Sequence, residues 1–149
     1  RSLYSFWKRT APAPSMSTFD APSRENFCVV RPRSNTPLQA LALMNDVQHF
    51  EAARAFAERL LLPTTTDLDR LGLAFRSATA RQPDDGELRL LAAALSTHRG
   101  RFQRDPEAAR LVITNGESRP SDRLPAAEFA AWTMVANLVL NLDETVTRN

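Results

Sequence analysis

The sequence predicts an all-α fold, an irregular bundle of five or six helices with a long proline-rich ordered loop near the N-terminus. Two observations support this prediction. Helix-starting patterns with a proline at the first helical position recur along the chain, and apolar residues follow them at helical spacing. The length of 149 residues fits one domain covering positions 1–149, and we expect it to be the C-terminal part of a larger protein.

The long loop is predicted between residues 11 and 35, a segment with four prolines and mixed polar character. Phe19, Phe27, Val29 and Val30 offer it apolar anchors, which a disordered tether would not need. We therefore expect the loop to be ordered, to wrap over the helical core and to contact the last helix.

A long helix is predicted next, because Thr36 can cap it and Pro37 suits its first position. It should continue to about Leu62. Its apolar face is spaced by threes, fours and sevens: Leu43, Phe50, Ala53, Ala57 and Leu60.

An antiparallel helical hairpin is predicted to follow. Its first helix opens at Asp67, with Leu68, Leu71 and Phe75 on one side. After a turn at residues 82–84, the second helix should run to about Arg104, with four apolar residues facing inward: Leu88, Leu91, Leu95 and Phe102.

Two further helices are predicted towards the end of the chain. Asp105 and Pro106 start a short one that Gly116 closes. The last helix should run from Pro125 to about Asp143, and it is apolar on nearly every face, which is typical of a helix at the centre of a domain. Three polar residues spaced by four interrupt it, and we expect them to bond the backbone of the proline-rich loop: Thr133, Asn137 and Asn141.

The composition excludes several classes of function. The 19 basic and 17 acidic residues are interspersed and leave a net charge of only +2, so nucleic acid is not an expected partner. The single cysteine, Cys28, forbids an intramolecular disulfide and an all-cysteine zinc site, and no metal site is predicted. The most apolar run, residues 129–142, is too short to span a membrane.

No self-contained catalytic constellation is present, and no haem attachment or phosphate-binding motif is found. His49 and His98 fall on different predicted helices among polar neighbours, and we expect both to be solvated or at the rim of the core. We therefore predict no cofactor in this domain.

Asp46 lies inside the apolar stripe of the long helix, where a carboxylate has to be paired, hydrogen-bonded or at a cleft. The simplest interpretation is a buried aspartate that caps a loop or pairs with Arg24 or Arg33, with Gln39 on the same face.

Asp143 and Glu144 lie at a helix C-terminus, where negative charge is unfavourable, and should therefore find a partner, most simply an arginine.

These residues define a candidate polar cluster, which could be structural or could bind a ligand. Its members are Asp20, Arg24, Asn35, Asn45, Asp46, Asn137 and Asn141.

Several short strings resemble one family: residues 3–9 (LYSFWKR), 19–22 (FDAP), 35–41 (NTPLQAL), 45–46 (ND), 131–133 (AWT) and 140–144 (LNLDE). It is a C-terminal domain of unknown function in large planctomycete proteins that often also carry a c-type cytochrome domain. Two positions depart from the pattern, since Ala80 stands where glycine is expected and Val47 where proline is expected. The resemblance implies a periplasmic or extracellular parent protein with haem c elsewhere in its chain.

Two functions remain open. The first is a helical accessory or scaffolding domain that docks on upstream domains of the same polypeptide. The second is half of an extracytoplasmic enzyme site, carbohydrate-acting or oxidoreductase, in which five of the cluster residues would line a cleft completed from upstream: Asp20, Arg24, Asn35, Asn45 and Asp46.

Overall fold

A computed structural model describes residues 6–8, 11–23, 25–32, 34–63 and 65–146. Within these ranges the chain forms eight α-helices and no strand, which confirms the all-α prediction. The helices are α1 (Pro14–Thr18), α2 (Pro37–Asn45), α3 (Val47–Leu61), α4 (Asp67–Thr79), α5 (Asp85–Arg104), α6 (Pro106–Ile113), α7 (Ala126–Leu140) and α8 (Asp143–Val146).

The long helix predicted between Thr36 and Leu62 is two helices, and this accounts for part of the difference from the expected five or six. Asp46 separates α2 from α3 with an extended backbone (ψ 129°). Its carboxylate accepts hydrogen bonds from the backbone N–H groups of Gln48 and His49 and so caps a new helix. The uninterrupted helix was therefore the wrong prediction, because a capping residue inside the apolar stripe starts a second helix.

The chain divides into two compact units, Arg1–Ala42 and Leu43–Asn149, and the boundary falls within α2. The core of the second unit is built on α7, whose Phe129, Trp132, Val135 and Val139 are fully enclosed. Helices α3, α5 and α6 all pack against α7. The prediction of a central last helix is confirmed, although α7 ends at Leu140 and a separate α8 begins at Asp143.

The hairpin of α4 and α5 forms as predicted, with Leu71 and Phe75 buried. Leu68, expected on the same side, is instead 60% exposed. Helix α4 ends at Ala80, whose φ of 64° is in the left-handed region that favours glycine. This conformation explains why glycine was the residue expected at that position.

The first unit differs most from the sequence prediction. A short helix, α1, lies inside the segment predicted as a loop, and Phe27 is 90% exposed. Val29 and Val30 are also exposed, so these three residues are not the anchors that we expected. Polar contacts close the loop instead, because the Arg31 guanidinium donates to the carbonyl oxygens of Phe19 and Asp20.

Candidate functional site

Asp20 is the hub of polar contacts in the first unit. It has a left-handed backbone (φ 57°). Its Oδ2 accepts hydrogen bonds from the Ser34 backbone N–H (2.8 Å) and the Ser34 hydroxyl (2.7 Å). These bonds favour the charged form and hold the pKa of Asp20 below its usual value, with the Ser34 hydroxyl as the largest cause. The carboxylate thus joins the two ends of the loop between residues 20 and 34.

Gln39 extends this network and is only 3% exposed. Its Nε2 donates to the Thr18 carbonyl (2.8 Å) and the Ser34 hydroxyl (3.0 Å), and lies 3.3 Å from Asp20 Oδ2. Its Oε1 accepts from the Thr36 N–H (3.1 Å), while Thr36 Oγ1 accepts from the Gln39 N–H (3.3 Å). This reciprocal pair is a capping box, which confirms Thr36 as the helix start. The Asn-Thr-Pro-Leu-Gln string therefore caps α2 and ties it to α1.

Three other members of the candidate cluster are Arg24, Asn35 and Asn45. Arg24 lies outside the described residues. Asn35 directly precedes the capping Thr36 and Asn45 is the last residue of α2; both have interaction partners within the chain.

Asp46 is not buried: its side chain is 46% exposed and caps α3. Its side-chain neighbour is His49, whose Nδ1 lies 3.1 Å from Asp46 Oδ1. The hydrogen bonds from His49 and Gln48 hold the pKa of Asp46 below its usual value, with the His49 side chain as the largest cause. The expectation of burial was wrong because the helix break carries the carboxylate out of the apolar stripe. Arg33, one of the two proposed partners, lies outside the described residues, as Arg24 does.

The three polar residues of α7 form hydrogen bonds with groups of the second unit. Thr133 Oγ1 donates to the Phe129 carbonyl one turn back, and Asn137 Nδ2 lies 3.4 Å from the Met44 carbonyl at the end of α2. Asn141 Nδ2 donates to both the backbone oxygen (2.8 Å) and the side-chain Oδ1 (2.9 Å) of Asn137. The acceptor of the Asn137 amide is thus a helix-end carbonyl rather than the proline-rich segment that we predicted.

The most enclosed charge of the described chain is Arg54, which is 2% exposed and was not among the predicted site residues. Its Nη1 donates to the carbonyl oxygens of Ile113 (2.6 Å) and Asn115 (2.8 Å), and its Nη2 to the Ser118 carbonyl (2.8 Å) and hydroxyl (2.6 Å). The guanidinium therefore caps the end of α6 and holds the loop that follows. Arg54 lies four residues after Phe50 in the apolar stripe of α3, and this position was the available signal.

Glu51 completes the clamp on the same loop. Its carboxylate accepts from the backbone N–H groups of Glu117 (3.0 Å) and Ser118 (2.8 Å), and Arg54 Nη2 lies 3.5 Å away. Hydrogen bonding from Ser118 is the largest cause that lowers the pKa of Glu51 to about 2. Gly116 has a φ of +108°, and a Cβ there would lie 2.6 Å from Glu51 Oε2. Helix α6 itself ends at Ile113 with Thr114 as its C-cap, two residues before the predicted Gly116.

Two more arginines join helices across the second unit. Arg81 bonds Glu87 of α5 and Glu144 of α8 and lies 4.7 Å from the Phe75 ring centroid. This contact supplies the arginine partner that we predicted for Glu144. The two carboxylates raise the pKa of Arg81, with Glu87 as the larger cause.

Arg99 plays the same part at the other end of α5. It bonds Asp67 of α4 (2.6 Å) and Glu128 of α7, and Glu128 also accepts from the Trp132 indole N–H (2.8 Å). Glu128 is the larger of the two causes that raise the pKa of Arg99. Because each carboxylate lies in the first turn of its helix, Arg99 joins the start of α4 to the start of α7.

The two histidines agree with the predicted rim positions. His49 is exposed, and His98 is half-buried and stacked on Phe102. Burial lowers the pKa of His98.

Cys28 is exposed, and its Sγ lies 3.2 Å from the Val30 carbonyl. In the part of the chain that the structure describes, no group of three or more potential metal ligands comes together, and no helix is long and apolar enough to cross a membrane.

The fold and these contacts define a helical domain whose buried polar side chains tie helices and loops together. The sequence profile of one family, PSD1, "Protein of unknown function (DUF1553)", matches residues 1–95, and the chain belongs to that family. The matched part includes the first unit, α3, α4 and the first half of α5. No curated protein and no solved structure matches the chain.

Proposed function

We propose that the chain, taken as one functional domain of 149 residues, is a helical accessory or scaffolding module of a larger protein that docks on upstream domains of the same polypeptide. One observation carries the proposal: the first unit exposes large apolar side chains. Six of them are 58–90% exposed: Phe6, Phe27, Val29, Val30, Leu38 and Leu41. None of the apolar side chains described in this unit is buried, and large exposed apolar surface marks interaction sites. We refer to these six residues as the apolar surface.

The polar groups of the first unit favour the same function. The Asp20 carboxylate accepts three hydrogen bonds from Ser34 and Gln39, and Gln39 uses both its amide oxygen and its amide nitrogen within the unit. All three bonds go to Oδ2, so this oxygen has little capacity left for a substrate. The alternative, half of an extracytoplasmic enzyme site, therefore gains no support from Asp20.

The resemblance to planctomycete proteins supports a finer proposal, a secreted or periplasmic parent with haem c on another domain. This domain would then bind no haem of its own, since it lacks a haem attachment motif. Titration of the chain with haem should give no stoichiometric Soret band. A band that disappears in His49→Ala or His98→Ala would overturn this part of the proposal.

Hydrogen exchange tests the docking role directly. The full-length parent polypeptide and the isolated 149-residue chain would be compared by mass spectrometry. If the apolar surface docks on upstream domains, peptides covering Phe27–Val30 and Leu38–Leu41 should exchange at least ten-fold more slowly in the parent. Equal exchange in the two forms would overturn the proposal.

Substitutions provide the matched control. Val29→Ser with Leu41→Ser in the parent should remove the extra protection, because both side chains belong to the apolar surface. Leu90→Ser with Leu111→Ser removes two exposed leucines of the second unit and should leave the protection intact. If both pairs had the same effect, the apolar surface would have no special role.

A further inference from the structure

The outer face of α4 carries an open groove of about 370 Å³ within the second unit. Buried Leu60 contributes to its lining, together with Leu68 and Leu73, which are 60% and 38% exposed. Asp69 and Arg76 line it as well, both with exposed side chains, and Gly72 lies between them on α4. The groove therefore combines apolar side chains with polar ones, and it carries one charge of each sign on α4.

Gly72 has no structural explanation within the described chain. It lies in the middle of α4, where glycine costs about 1 kcal/mol relative to alanine. A Cβ built on it would meet no atom within 4 Å. Helical backbone without a side chain allows another backbone to approach closely, and that close approach is the physical use of glycine at such a position.

The two charges flank this glycine on α4, one on each side of it along the helix. Asp69 and Arg76 are seven residues apart, which places them on the same side of the helix about 10.5 Å apart along its axis. Their midpoint falls between Gly72 and Leu73. In an antiparallel pair of identical helices with the two-fold axis at that midpoint, Asp69 of each copy faces Arg76 of the other.

Neither charge is neutralised by an ion pair among the described residues. The Asp69 carboxylate accepts a hydrogen bond from the Thr66 hydroxyl (2.6 Å), which adds no positive charge. The salt bridges of the described chain include neither Asp69 nor Arg76. Both groups are thus available for an intermolecular pair.

We propose that the groove on α4 is the docking site of a second copy of this chain, in an antiparallel two-fold pair of α4 helices. Gly72 permits the close approach, Leu68 and Leu73 of both copies are buried, and two Asp69–Arg76 ion pairs fix the register. One helix pair makes a small interface, so the dimer is a weak one with a dissociation constant on the order of micromolar or above.

Sedimentation velocity between about 1 and 500 µM chain, concentrations chosen to bracket a weak interface, tests this inference. The expected result is a reversible monomer–dimer equilibrium. Asp69→Arg should weaken the dimer at least ten-fold, because two repulsive pairs replace two attractive ones. Asp69→Arg combined with Arg76→Asp should restore it, while Arg89→Asp, a charge reversal on the exposed part of α5, should have no effect.

Gly72→Leu separates docking from folding. Because nothing lies within 4 Å of the new Cβ, the monomer should melt at the same temperature or higher, while the dimer should be lost. A chain that stays monomeric over the whole concentration range would overturn the inference. So would a dimer that is insensitive both to Gly72→Leu and to the charge reversals.

Discussion

The two compact units use polar side chains in different ways. In the second unit, the guanidinium groups of Arg54, Arg81 and Arg99 each join helices or loops that are far apart in sequence. In the first unit, Gln39 and Asp20 hold short segments within about twenty residues of one another. The second unit also encloses a continuous apolar core, whereas no apolar side chain among the described residues of the first unit is buried.

This difference indicates a division of roles. A unit with a continuous core and long-range polar ties has its own source of stability. A unit with local hydrogen bonds and exposed apolar side chains gains more stability from binding a partner, because only burial removes that surface from water. Substitutions in the second unit test this difference.

Arg54→Met should destabilise the second unit by about 3–5 kcal/mol, the usual cost of breaking a buried charged network. The change removes the donors to Ile113, Asn115 and Ser118 and leaves the Glu51 carboxylate without its cation. Urea unfolding followed by circular dichroism measures the loss. Arg59→Met, on the exposed side of the same helix, should change stability by less than about 0.5 kcal/mol. Equal effects would show that Arg54 is not a structural clamp.

Gly116→Ala should cost about 1–3 kcal/mol, because alanine is strained at a φ of +108°. The new Cβ would also displace the Glu51 carboxylate. Gly100→Ala is the control, since Gly100 lies inside α5 and its Cβ would meet only one atom, 3.9 Å away. That variant should be more stable than the parent. A Gly116→Ala variant with parental thermal stability would contradict the described loop geometry.

The clamp should also make stability depend on acid pH. Folding lowers the pKa of Glu51 from 4.5 to about 2, so its contacts stabilise the fold above pH 4.5. This contribution is lost progressively as the pH falls from 4.5 towards 2. In Glu51→Gln the unfolding free energy should fall less steeply over this range. Glu25→Gln removes a carboxylate from the first unit and controls for net charge. Parallel curves for the parent and Glu51→Gln would contradict the assignment.

Asp46→Ala should cost about 1 kcal/mol, the usual value for an N-cap, and not the larger cost of breaking a buried pair. The exposed carboxylate and its bonds to the first N–H groups of α3 are the reason. Asp46→Asn keeps a capping oxygen and should retain nearly all of the stability. Thermal melting of the two variants provides the measurement; a loss of several kcal/mol in both would restore the buried-pair interpretation.

Ala80→Gly should stabilise the second unit by up to about 1 kcal/mol, since Ala80 occupies the left-handed region at the end of α4. Ala52→Gly, at an exposed position inside α3, should have the opposite sign and cost about 1 kcal/mol. Differential scanning calorimetry resolves both shifts. A destabilised Ala80→Gly variant would be inconsistent with the helix end described here.

Local patterns account for most of the successful predictions about the fold. The Thr36 cap, the Asp105–Pro106 start of α6 and the hairpin of α4 and α5 depend on contacts within a few residues. The break at Asp46 is equally local, and it was missed because the apolar periodicity on both sides of Asp46 was taken as one helix. The partners of two members of the candidate cluster, Asp20 and Asn137, were not indicated by the sequence.

Local sequence patterns specified the all-α class, the starts of α2, α4, α6 and α7, and the central position of α7, because caps and periodicity act over one or two turns. Tertiary packing set the partners of Arg54 and Arg81, which lie about 60 residues away along the chain. It also decided that Phe27 is exposed, since whether an apolar side chain is buried depends on what folds beside it. Pairing and burial over such separations depend on how the helices pack together, which local sequence patterns do not specify.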